Sequence, residues 1–226
     1  EIVVKHKLPL VITSLGHPGK VIDEVHGYGG LVFCDVISAD HARKSMNAGV
    51  DGIICIGGGA GGHASIQSSF SLVREIREFW DGCLVLGGGI NDGQQVRAAE
   101  MLGADFAYMG TRFIASKESN AQAEYKQMIV DCGVKDLIYS DRFSGIHANF
   151  LLPSITRFGI DPATLPPKKP DVSGLADTDL KAWKDIWSAG HGVATIHDVP
   201  TIAELAQRIA QEYRAACTVP ISEAVA

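Results

Sequence analysis

The chain has 226 residues, 46% hydrophobic and 20% charged, which excludes disorder, collagen and coiled coil and fits one large domain or two small ones. Its 20 Lys and Arg against 26 Asp and Glu give a net charge of −6 with no basic block, so the phosphate-backbone electrostatics of a nucleic-acid binder are missing. No apolar run nears the ~20 residues of a membrane-spanning helix and no signal-like region opens the chain, so it reads as a soluble, cytoplasmic protein with a small-ligand site.

In chain order, short β-rich runs are predicted at 9–15, 30–37, 52–57, 83–87 and 106–110. Each is almost wholly apolar, as expected of parallel strands buried on both faces. Between them lie amphipathic helices. One spans 68–81 with a stripe of Phe70, Val73, Ile76 and Trp80. Another spans 91–102, opening on Asn91 and Asp92 and stopping at Gly103. Ala48-Gly49-Val50-Asp51 and Leu102-Gly103-Ala104-Asp105 echo one another ahead of two of the strands, the mark of a repeated βα unit. Such repeats build an open doubly wound sheet or a closed (β/α)8 barrel. The pattern dissolves near Asp136. Beyond it, a Pro-rich extended surface segment is expected at 165–174, and a last helix at 201–215 packs through Ile202, Leu205, Ile209 and Tyr213.

The 25 glycines gather just after the apolar runs. Gly87-Gly88-Gly89-Ile90 closes one strand and Met109-Gly110-Thr111-Arg112-Phe113 follows the next, so backbone N–H groups can converge on a phosphate unobstructed by Cβ atoms. Gly57-Gly58-Gly59-Ala60-Gly61-Gly62-His63 follows a third strand. Glycine there costs about 0.5–1 kcal/mol per position relative to alanine, and close approach to a planar ligand is the expected reason. His63, with a reference pKa near 6.5, is placed to take a proton at neutral pH. Asp35, Ser14 and His17 end two further strands, and the stretch 183–192, with Trp183, Trp187 and His191, is a candidate lid over a flat cofactor. His41, His147 and His197 lack metal-ligand spacing, and no metal is expected. The five cysteines, Cys34, Cys55, Cys83, Cys132 and Cys217, read as free thiols.

On Ala60-Gly61-Gly62-His63, Gly87-Gly88-Gly89-Ile90, Gly103-Ala104-Asp105 and above all Met109-Gly110-Thr111-Arg112-Phe113, the sequence resembles the nitronate monooxygenase family over about 8–213. That resemblance implies a TIM-type (β/α)8 barrel binding FMN. The phosphate would sit on Gly88, Gly89, Gly110 and Thr111, with Gly87 and Met109 beside it. Ala60, Gly61 and Gly62 would lie near the flavin ring, and His63 matches the family's catalytic histidine. It further implies oxidation of alkyl nitronates or nitroalkanes by O2 to a carbonyl compound and nitrite, with His63 as base and a small-molecule substrate and O2 as partners. Nucleic acid and membrane are not expected as partners, and homo-oligomerisation is left open. The alternatives are a flavin-dependent enoyl-thioester (acyl-carrier-protein) reductase, which shares the barrel group, and a non-catalytic phospholigand-binding barrel.

Three departures qualify the likeness. Asp35 stands where some relatives carry a lysine near the flavin, and His191 where glutamine is usual. Only five βα units are visible, three short of a barrel. Residues 1–135 are therefore expected to be the C-terminal five units of an FMN-binding barrel and 136–226 an extension carrying the lid and a packing helix. The missing strands would come from a longer polypeptide or another chain.

Overall fold

Five strands lie side by side and parallel in a computed structural model that describes residues 2–166 and 183–218. In chain order the elements are α1 (Ile2–Lys5), β1 (Leu10–Thr13), α2 (Gly19–His26), β2 (Leu31–Val36), α3 (Ala39–Ala48), β3 (Gly52–Ile56), β4 (Gly62–His63), α4 (Ser69–Arg77), β5 (Cys83–Gly87), α5 (Gly93–Leu102) and β6 (Phe106–Tyr108). They continue with α6 (Thr111–Ile114), α7 (Ala123–Asp131), β7 (Leu137–Ser140), β8 (Ala148–Leu151), α8 (Leu152–Thr156) and α9 (Ile202–Cys217). The parallel sheet runs β1-β2-β3-β5-β6, and β4-β8-β7 form a second, antiparallel sheet. Among the described residues, no helix is long and apolar enough to cross a membrane.

Side chains alternate between the faces of a strand, and the two faces of the parallel sheet differ. On one face Val32, Cys34, Val36, Ile53, Cys55, Leu84 and Leu86 are buried against Ile22, Val25, Ala42, Leu72, Val73 and Ile76 of the crossover helices. On the other, Ile54 and Val85 are buried at the centre, while Leu10, Ile12, Leu31, Phe106 and Tyr108 are 43–63% exposed. Burial on both faces therefore holds only for the middle strands, because no described element covers the second face at either edge.

The echoed tetrapeptides perform one task twice. Gly49 and Gly103 end α3 and α5 in the left-handed region at φ 89° and 111°, where glycine has no Cβ to clash. Two residues on, the Asp51 and Asp105 N–H groups donate to the carbonyls of Val32 and Leu84. The carboxylates accept from those same residues' N–H groups at 2.7 and 2.8 Å. Each aspartate thus clasps the start of its strand to the preceding one, and His26 or Arg77 completes its hydrogen bonding.

Two expected contacts are corrected. Phe70, assigned to the buried stripe of α4, is 67% exposed, while Leu72, Val73 and Ile76 are buried. The Ser68 cap accepts the Phe70 N–H, which sets Phe70 in the first turn, off the stripe. Of the four apolar anchors assigned to α9, Leu205 alone is fully buried and Ile202 is 42% exposed. The helix instead crosses α5 at Gly93, where an added Cβ would collide with the backbone of Ile209 and Tyr213. Gly93→Ala is therefore expected to push α9 away and destabilise the fold by about 1–3 kcal/mol, read as a lower denaturation midpoint. An unchanged midpoint would show that the crossing yields freely. The candidate surface segment 165–174 lies outside the described residues except for Leu165 and Pro166.

Candidate functional site

A cavity of about 850 Å3 opens at the carboxyl ends of the parallel strands, where such sheets place ligands. Ala60, Gly61, Gly62, His63, Gly87, Gly88, Gly89, Met109, Gly110 and Thr111 all line it, with Ser14, His17 and Asp35.

At the tips of β5 and β6 the chain is bare. Gly88 and Gly89 take φ of 114° and 75°, a turn that a side chain would strain. An added Cβ at Gly89 or Gly110 meets nothing within 4 Å. None of the hydrogen bonds among the described residues uses the N–H of Gly89, Gly110 or Thr111. Open space, unclaimed donors and the first turn of α6 make this corner suited to an anion. Thr111 also has a structural task, its hydroxyl oxygen accepting from the Gly190 N–H at 2.9 Å. Arg112 is 3% exposed and lies outside the cavity. Its guanidinium holds the Asp198 carboxylate and the carbonyls of Ala115 and Asp198 at 2.7–3.0 Å, pinning α6 to the approach of α9.

Packing accounts for several glycines of the 57–62 run. A Cβ at Gly57 would collide with Ser69, one at Gly58 would come within 3.0 Å of the Ser65 carbonyl, and one at Gly61 within 2.7 Å of the Gly190 nitrogen. Ligand approach is thus not needed to explain Gly57 and Gly58, and Gly61 packs while it also lines the cavity. Gly62, at φ 77°, delivers the chain into β4, whose His63 pairs with Ala148 of β8.

His63 is half-buried. Its Nε2 lies 3.2 Å from the Ser144 hydroxyl oxygen, and the Trp183 ring stands edge-on to it at 5.2 Å between centroids. Burial pulls its pKa below the ordinary histidine value, because a shielded imidazolium loses hydration. The imidazole is therefore neutral and able to accept a proton at neutral pH. Trp183 stacks on Phe150 and itself has φ 73°, a left-handed conformation uncommon for a bulky residue.

Of the candidate lid stretch, Trp183, Ser188, Gly190 and Gly192 reach the cavity. Trp187 is a core residue at 2% exposure, stacked on Tyr125 at 4.9 Å. His191 donates its backbone N–H to the Gly59 carbonyl and lines a smaller cavity of about 600 Å3 behind the glycine turns.

Asp35 ends β2 on the cavity side, and its Oδ1 is buried without a hydrogen-bond partner. Burial raises its pKa above the ordinary 3.8, opposed by a hydrogen bond from Ser14. The folded chain therefore binds this proton more tightly than the unfolded chain. Stability falls as pH rises from 3.8 through the raised value. Asp35→Asn in the ligand-free protein is expected to raise Tm at pH 7, with the gain shrinking as pH falls through the raised value and vanishing below about 3.8. A Tm difference independent of pH would rule out ionisation as its source.

Asn149 and Asn91 take organising roles that the sequence reading did not assign. Asn149, 2% exposed, donates from Nδ2 to the carbonyls of Gly58 at 3.0 Å and Ala60 at 2.8 Å, fixing the loop before His63. Asn91 donates from Nδ2 to the Gly192 carbonyl and the Thr195 hydroxyl. A lone amide within the fully buried run of β8 is the signal for the first, since buried polar groups need partners.

Fold and site together define a parallel α/β protein whose cavity lies where bare strand tips meet a half-buried histidine. A family model described as nitronate monooxygenase matches residues 1–212, and the chain belongs to the nitronate monooxygenase family. A probable nitronate monooxygenase of Staphylococcus haemolyticus is 29% identical over 157 residues, 64% of this chain and 44% of that protein. The match thus spans less than half of the relative's length. Among solved structures, FabK (M276A) from Thermotoga maritima aligns with TM-score 0.77 at 25% identity, over 96% of this chain and 70% of that one. A nitroalkane oxidase from Streptomyces ansochromogenes aligns with TM-score 0.78 at 24% identity, over 96% and 67%. These matches and the βα alternation place the chain in the TIM-type barrel class, and among the described residues five parallel strands are present that hydrogen bonding does not close into a ring.

Proposed function

We propose that the protein binds FMN and oxidises alkyl nitronates, and nitroalkanes once their α-proton is removed, with O2, giving a carbonyl compound and nitrite. The observation that carries this reading is the joining, in one cavity, of unobstructed glycine tips at Gly89 and Gly110 with the neutral, half-buried imidazole of His63. The residues fit the cofactor. Gly88, Gly89, Gly110 and Thr111 would hold its phosphate through backbone N–H groups, and Ala60, Gly61, Gly62, Gly87 and Met109 would border the rest. When bound, FMN supplies the two-electron redox chemistry. The chain's share is to position the substrate, limit water and take the α-proton of a neutral nitroalkane on His63.

The test is an absorbance spectrum of the purified protein followed by O2 uptake and nitrite release with propionate 3-nitronate. A flavin spectrum with both activities is expected. NAD(P)H-dependent reduction of a crotonyl thioester without O2 uptake would instead make the protein a flavin-dependent reductase. Colourless material that takes up no added FMN would make it a binder of some other phosphorylated ligand.

A further inference from the structure

The inference concerns which nitrogen of His63 can accept a proton, and it rests on the reading of His63 as a base. A serine hydroxyl has one proton to donate and lone pairs to accept with. Ser144 donates its proton to the Ile146 carbonyl at 2.9 Å, a geometry set by a turn in which Gly145 takes φ 73° and donates its N–H to the Asp141 carbonyl at 2.7 Å. Toward His63 Nε2, 3.2 Å away, the same oxygen can then only accept. Ser144 is 5% exposed, so water has little access to supply a substitute if the hydroxyl swings round. We infer that Ser144 is a positioning residue that holds His63 in the tautomer protonated on Nε2 and leaves Nδ1 as the proton-accepting atom.

The arrangement also serves the protonated state. When Nδ1 takes a proton, the Nε2–H···Oγ bond becomes charge-assisted and strengthens, offsetting part of the burial that otherwise disfavours the cation. Burial is what lowers the His63 pKa. Among the described residues, the Ser144 hydroxyl, the Trp183 ring edge and, from β8, the backbone of Ala148 stand next to the imidazole. The other titratable rings of this layer, Tyr139 and His147, face each other at 5.0 Å. Ser144 and Phe143 are also neighbours in sequence, and the ring of Phe143 against Phe150 anchors the turn in the core beneath the antiparallel sheet.

The experiment is nitrogen-15 NMR of the histidine ring in the full chain, with Ser144→Ala and Ser144→Thr. Above its titration, wild-type His63 is expected to show a pyrrole-type Nε2 and a pyridine-type Nδ1. Ser144→Ala is expected to lower the His63 pKa further, shift the acidic limb of the pH profile down, and cut kcat/KM on neutral nitroalkanes about tenfold, the scale of one hydrogen bond to a charged group. The loss on preformed nitronates is expected to be smaller. Ser144→Thr, which keeps the hydroxyl, is expected to restore the titration and the rate. A pyridine-type Nε2 in the wild type, or an unchanged His63 titration in folded Ser144→Ala, overturns the inference. Because tautomer and titration are read without turnover, a wild type inert toward nitroalkanes refutes the oxidation reading alone.

Discussion

Gly110→Val is expected to produce a folded protein that no longer retains FMN. Gly110 joins β6 to α6 with φ −110° and ψ −70°, a negative φ that does not demand glycine, so little backbone strain is added. A Cβ there meets nothing within 4 Å, so the side chain enters open cavity and the protein interior is left intact. The two methyl groups would occupy the corner assigned to the phosphate and screen the N–H groups of Gly110 and Thr111. The checks are flavin content after purification, titration with added FMN, and the denaturation midpoint. Stoichiometric FMN in the variant would remove Gly110 from the cofactor site. Gly88 would make a poorer test, since its φ of 114° and the Ala60 nitrogen 3.0 Å from an added Cβ would confound ligand loss with misfolding.

His63→Asn is expected to keep the flavin and lose about 10²–10⁴ in kcat/KM on neutral nitroalkanes, the usual share of a positioned general base. The loss on preformed nitronates is expected to be much smaller, because their α-proton is already gone. In the wild type, the nitroalkane rate should rise with pH through a pKa below 6.5 and level off above it. That sign follows from burial, which lowers the histidine pKa, together with the need for a neutral base. The nitronate profile should lack this limb. Equal losses on both substrates would mean that His63 serves substrate binding or flavin position instead.

Much of the parallel sheet was legible from local pattern. All five predicted runs contain a strand, because a largely apolar segment suits a parallel strand, and in 52–57, 83–87 and 106–110 a closing glycine also supplies the βα turn. The Asp92 cap and the Gly103 stop of α5 were equally visible. The antiparallel sheet was not. Its β4 is two residues long, and its partner, β8, lies 85 positions downstream of His63 at Ala148, so neither length nor alternation could signal the pairing. The same distance hid Ser144 and Asn149, polar residues whose tasks depend on groups more than 80 positions away.

Sequence alone determined where the strands run, that the tips of β3, β5 and β6 lead into glycines, and that one histidine follows the longest glycine-rich run. These are properties of neighbouring residues, set by backbone sterics and hydrophobic pattern. Tertiary structure decided which glycines line a cavity and which make room for another backbone, that Trp187 is core while Trp183 flanks His63, and which proton the Ser144 oxygen can accept. Each of those depends on atoms brought together by packing from remote parts of the chain, and a linear pattern carries no record of that distance.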